Sequence, residues 1–148
     1  MTRTELTAKI LDAKRKKGLS WQAIAKKIGG NSPVFLTAAL LGQMKLEKAQ
    51  AERAAKLLGL SAEEAALLTE IPYRGSLPTA VPTDPLIYRF YELVQVYGTS
   101  WKALIEEEFG DGIMSAIDFD MEIRRKPDPK GDRVELVMAG KFLPYKRY

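Results

Sequence analysis

Ile117-Asp118-Phe119-Asp120-Met121-Glu122-Ile123-Arg124 alternates apolar and charged residues with a period of two. Successive side chains of a strand point to opposite faces, so this stretch reads as a half-buried β-strand. Pro127-Asp128-Pro129-Lys130-Gly131 forms a turn-rich connection after it, and Val134, Leu136 and Met138 alternate again as a returning strand. A lone two-stranded hairpin is marginal in water, and the surrounding sequence offers two helices and little else to cover it. We therefore expect the hairpin to complete its sheet with a second copy of the chain, as an obligate interlocked homo-oligomer.

Upstream of the hairpin, Asp84-Pro85 opens a helix. Asp supplies the capping oxygen, and Pro at the first helical position gives up only an amide that had no partner. This helix is expected to run to Tyr97 before Gly98, with a second helix capped by Thr99 or Ser100 and passing through Trp101, Leu104 and Phe109 to Gly110. Pro72, Gly75, Pro78, Pro82 and Pro85 prevent the preceding segment from being one regular element. The domain boundary is placed there, dividing residues 1–75 from 76–148.

No strand signal precedes residue 71. The front half reads instead as short helices: Thr4 to Lys17 stopping at Gly18, Trp21 to Ile28 behind Ser20, Ser32-Pro33 to Gly42, and Leu46 to Leu58 stopping at Gly59. Ser61 with Glu64 makes a capping box for a brief fifth. The expected fold class is α+β: an N-terminal all-α bundle with helix-turn-helix-like spacing, then a small α+β domain whose hairpin finds its sheet partner in another subunit.

Composition narrows the chemistry. The chain has 148 residues, 46% apolar and 28% charged, as a soluble globular protein does. It contains neither cysteine nor histidine. Disulfides, thiolate metal sites, iron–sulfur clusters, cysteine nucleophiles and the Ser-His-Asp triad are all excluded. An enzyme built from this chain works with carboxylates, hydroxyls, amines and guanidinium, and only an all-oxygen site for a hard cation stays open. The charged first twenty residues argue against a secretory signal, and no apolar run reaches the ~18 residues of a membrane span. A cytoplasmic location without membrane contact is the expectation.

Charge is uneven, with 12 Lys+Arg against 7 Asp+Glu up to Glu70 and 11 against 12 beyond it. A basic front half with helix-turn-helix spacing over Leu19–Leu41 raises DNA as a partner. Base reading requires Arg, Lys, Asn or Gln on the first turns of the second helix. Here that helix reads Pro33-Val34-Phe35-Leu36-Thr37-Ala38-Ala39-Leu40-Leu41, with no charge and no amide. Its surface suits burial, so no nucleic-acid partner is expected. Lys14 to Lys17 read as a solvated helix end beside a favourable dipole. The alternative, a transcription regulator with an oligomeric ligand-sensing C-terminal domain, lacks the side chains it needs.

Two segments carry candidate chemistry. In Pro82 to Gly98, helical geometry puts Leu86, Phe90, Leu93, Val94 and Tyr97 on one apolar face, with Arg89 and Glu92 three apart along its edge. Spacing alone makes these an ordinary surface ion pair. Phe109-Gly110-Asp111-Gly112-Ile113-Met114-Ser115-Ala116-Ile117 places the Ser115 hydroxyl just after a glycine-rich turn, where backbone amides suit an anion.

Together these two blocks resemble the signature of the cyanase family. The ending Gly140-Lys141-Phe142-Leu143-Pro144, the stretch Thr37 to Gln43, and Ile71-Pro72 to Arg74-Gly75 match the family as well, so the likeness spans nearly the whole chain. The resemblance implies bicarbonate-dependent decomposition of cyanate to ammonia and carbon dioxide through carbamate, with bicarbonate as co-substrate and no metal or organic cofactor. It implies a helical N-terminal domain used for packing, and interlocked dimers assembled into a homodecamer with sites between subunits. The family's catalytic arginine, glutamate and serine fall on Arg89, Glu92 and Ser115. A cysteine that some members carry in the linker is absent, Ser76 following Gly75; no step needs a thiol.

Overall fold

The computed structural model describes Met1–Tyr148. Each short helix starts where a side chain can cap it. α1 (Arg3–Lys16) begins behind Thr2, α2 (Trp21–Ile28) behind Ser20, and α3 (Pro33–Leu40) behind Ser32, whose Oγ accepts from the Phe35 amide at 3.2 Å. α4 (Lys48–Leu58) stops at Gly59, which adopts the left-handed conformation (φ 75°, ψ 40°) that glycine enters without steric cost. α5 (Ala62–Leu67) has the expected reciprocal box between Ser61 and Glu64. Then follow α6 (Pro85–Phe109), β1 (Gly112–Lys126) and β2 (Arg133–Pro144), with the two strands paired as one sheet.

The chain resolves into two compact units. One comprises Met1–Ser76 and the turn end of the hairpin, Met121–Val137; the other comprises Leu77–Asp120 and Met138–Tyr148. In the first, α2 packs on α3 and α4, and α4 on α1 and α5. Leu6, Ile10, Ile24, Ile28, Leu36, Leu40, Leu46 and Leu68 form a core sealed from solvent. Lys9 Nζ pairs with the Glu64 carboxylate at 2.6 Å, joining α1 to α5. The Arg3 guanidinium donates to the carbonyls of Leu67, Ala39 and Met44 at 3.2, 2.9 and 3.0 Å, tying α1 to the last turns of α3 and α5 and to the connection before α4. The cations at the end of α1 find partners: Asp12 pairs with Arg15 and Lys16, the capping Lys17 donates to the Leu57 carbonyl of α4, and Lys14 lies 5.1 Å from the Trp21 ring centre.

In the second unit one expectation fails. The segment read as two helices parted at Gly98 is a single 25-residue helix, and Thr99 and Ser100 cap nothing because they lie inside it. Gly98 has no left-handed φ, and a Cβ there would meet only Val94 Cγ1 at 3.7 Å. An internal glycine costs a helix about 1 kcal/mol against alanine. That is too little to break a helix with the Tyr97 and Trp101 rings stacked across the glycine, 6.4 Å apart. The strands also extend past their alternating cores, and β2 takes in the Gly140–Pro144 motif.

Candidate active site

Asp84 Oδ1 accepts from the amides of Leu86 and Ile87 at 2.9 and 3.0 Å and fixes the start of α6. One turn further on, Arg89 Nη1 donates to Glu92 Oε2. The two side chains are 68% and 44% exposed. A solvated pair at this spacing adds only tenths of a kcal/mol to stability. Glu92 holds one edge of the guanidinium, and the remaining donors of its planar fork are free to meet an oxyanion.

Ser115 lies on β1 and is 5% exposed, the one buried residue of α6, β1 and β2. Its Oγ accepts from the amides of Ile117 at 3.0 Å and Asp118 at 2.9 Å. The glycines flanking the motif explain how a hydroxyl is buried in a sheet otherwise open to solvent. A Cβ on Gly112 would collide with the Leu143 carbonyl oxygen and the Phe142 ring; one on Gly140 would collide with the Ser115 carbonyl oxygen. Phe109, the last residue of α6, packs on Phe142 with ring centres 5.3 Å apart, and the Tyr145 amide donates to the Asp111 carbonyl at 3.1 Å.

Within one chain the structure joins Arg89 to Glu92, while the hydrogen bonds of Ser115 go to its own strand. Backbone amides near the glycine-rich turn, expected to serve an anion, are partly committed already. Gly110 N donates to the Glu106 carbonyl, and the amides of Ile117 and Asp118 go to Ser115. Sequence reading passed over Gly140 as a positional requirement; a glycine interrupting an alternating strand was the available signal. No group of three or more acidic side chains converges as a cation site. A cleft of about 690 Å³ in the first unit, lined in part by Trp21, Val34, Thr37, Leu41 and Ile123, contains none of the three candidate residues.

The matches to known proteins cover both halves of the chain. Residues 3–72 match the family model described as "Cyanate hydratase, N-terminal", and residues 79–147 match "Cyanate lyase C-terminal domain". Curated relatives named cyanate hydratase align along their entire length and all of this chain. The one from Ralstonia pickettii is 64% identical over 148 residues, and that from Polynucleobacter asymbioticus 62%. A crystal structure of cyanase from T. urticae superposes with a TM-score of 0.81 at 45% identity, covering 94% of this chain and 96% of that one.

Proposed function

The chain belongs to the cyanate hydratase family, and from that premise we propose that it decomposes cyanate with bicarbonate as co-substrate, using Arg89, Glu92 and Ser115. Residues 76–148 carry the chemistry, and residues 1–75 serve packing and oligomerisation. The observation that carries this reading is the pairing of Arg89 with Glu92 on an exposed helix edge, in a chain whose family acts on a small anion.

Cyanate and bicarbonate repel each other by about 4 kcal/mol at 4 Å and an effective dielectric near 20. A fixed guanidinium offsets that repulsion, and its fork suits the planar oxygens of bicarbonate. Glu92 keeps the fork oriented, and Ser115 contributes a hydroxyl donor to one anion. A bicarbonate oxygen attacks the cyanate carbon while the nitrogen takes up the bicarbonate proton and one from solvent, and loss of carbon dioxide leaves carbamate. Carbamate takes a further proton and divides into ammonia and a second carbon dioxide. Over both steps bicarbonate supplies one proton and solvent two, which suits a site without histidine. Juxtaposed reactants and preorganised charge supply the acceleration.

A homo-oligomer, a decamer built from dimers, completes the site. In a single chain Arg89 and Glu92 stand open to solvent with no hydrogen bond to Ser115, and α6 presents its apolar face uncovered. The deciding experiment measures ammonia released from cyanate with and without added bicarbonate. Release that depends on bicarbonate is expected, and Arg89→Lys should lower it about a hundredfold with the assembly intact. Equal release without bicarbonate, or near-normal turnover by Arg89→Lys, would refute the reading.

A further inference from the structure

Successive amides of a regular strand point to opposite edges of the sheet, so one oxygen cannot ordinarily receive two in a row. Ser115 Oγ receives those of Ile117 and Asp118. β1 has 15 residues against 12 in β2, although Gly112 at its open end already lies against Leu143; a bulge absorbs such a surplus. Met114 and Phe119 both approach Gly140 while Ser115 Oγ takes two amides between them, which marks Ser115–Asp118 as its place.

Gly140 sits against this point. A Cβ on it would run into the Ser115 carbonyl oxygen, stand 2.6 Å from Met114 Cγ and 3.3 Å from Phe119 Cδ2. Its φ is not in the left-handed region, so the position demands space and not glycine's conformational freedom.

We propose that Gly140 is a positioning residue for the reaction: by letting β2 press onto Ser115 it holds the bulge that occupies both lone pairs of the Ser115 hydroxyl and leaves only its proton to offer. A hydroxyl oxygen has two acceptor sites and one donor. With both acceptor sites filled, Ser115 donates to an anion and does not attack carbon. The inference rests on Ser115 being part of the site proposed above.

The test is a double-mutant cycle in the assembled full-length protein, reading kcat and KM for cyanate and for bicarbonate. Ser115→Ala should lower kcat/KM about a hundredfold, the cost of removing one preorganised donor. Gly140→Ala should fall by a similar factor and raise KM for the same anion that Ser115→Ala affects. The double variant should lie within about twofold of Ser115→Ala alone, because Gly140 acts through that hydroxyl. Multiplying losses, or a raised KM for the other anion, would overturn the role of Gly140 while leaving Ser115 in the site. Full activity in Ser115→Ala would instead remove the site reading itself.

Amide exchange supplies a second measurement that survives a Gly140→Ala chain failing to assemble. Exchange at Ile117 and Asp118 should quicken about tenfold in assembled Ser115→Ala, as each amide loses its acceptor. Unchanged exchange there would overturn the donor assignment and with it the role of Gly140.

Discussion

Leu6, Ile10, Ile24 and Leu36 in the helical unit are sealed from solvent, whereas α6, more than twice the length of α2 or α3, has no buried residue. Both regions are rich in apolar residues. The difference lies in how many elements surround them. Five short helices enclose a common interior within one chain. A helix and a two-stranded hairpin form a shape with uncovered faces, leaving Leu86, Phe90, Val94, Tyr97, Trp101 and Leu104 exposed. An apolar surface of that extent marks an interaction site. The bundle encloses its own core, and the half with α6 leaves its apolar face for a partner to cover.

The contrast breaks most visibly at Leu104, which a single chain leaves exposed. Leu104→Asp should leave the bundle folded but dissociate the assembly towards the 16.5 kDa chain, with loss of activity; sedimentation velocity reads the change. An intact oligomer would make this part of α6 ordinary exposed surface. The reverse holds for Leu36, sealed inside the bundle. Leu36→Ala should cost about 2–5 kcal/mol through lost burial and the cavity left behind, seen as a lower urea midpoint. A stability loss under about 0.5 kcal/mol would mean that the bundle is not closed as described.

A smaller effect sharpens the comparison through pH. The hydrogen bond from Lys9 holds the Glu64 carboxyl below the usual glutamate value, helped by the Ser61 amide. A carboxyl whose folded pKa is depressed adds stability above its unfolded pKa and loses it as pH falls through the folded one. Stability should therefore decline on acidification from about 4.3, the ordinary glutamate value, downward. Glu64→Gln should flatten that decline in urea titrations between pH 6 and 3 (roughly the window set by that ordinary value). A parallel decline in both proteins would assign the acid sensitivity elsewhere. Asp128, held low by Arg133 at the hairpin turn, Asp12, held low by Lys16 and Arg15, and Glu5, held low by the Thr2 amide, are the alternative sources.

Much of the bundle was readable because helix boundaries are local chemistry. Ser20, Ser32 and Ser61 cap where a side-chain oxygen precedes an apolar period, and all three do so in the structure. Gly98 was misread because a glycine that ends a helix and one that merely sits in it look alike in sequence; only φ and the space around the residue separate them. Arg3 shows a different limit. Its three acceptors lie 36 to 64 residues away, so no local pattern announces the clamp. At the site, the three-residue spacing of Arg89 and Glu92 put them on one helix edge directly. The burial of Ser115 was not readable, since it depends on which residue of β2 lies opposite.

By itself the sequence determined which segments are helix or strand, which chemistry the absence of cysteine and histidine removes, and the neighbourhood of Arg89 and Glu92. All of these follow from side-chain type and short-range period. Only the tertiary structure decided that Ser115 is buried with its oxygen occupied, and that Gly140 must be glycine. Strand register and the close approach of two backbones are set by contacts between residues far apart in the chain, which no local period encodes.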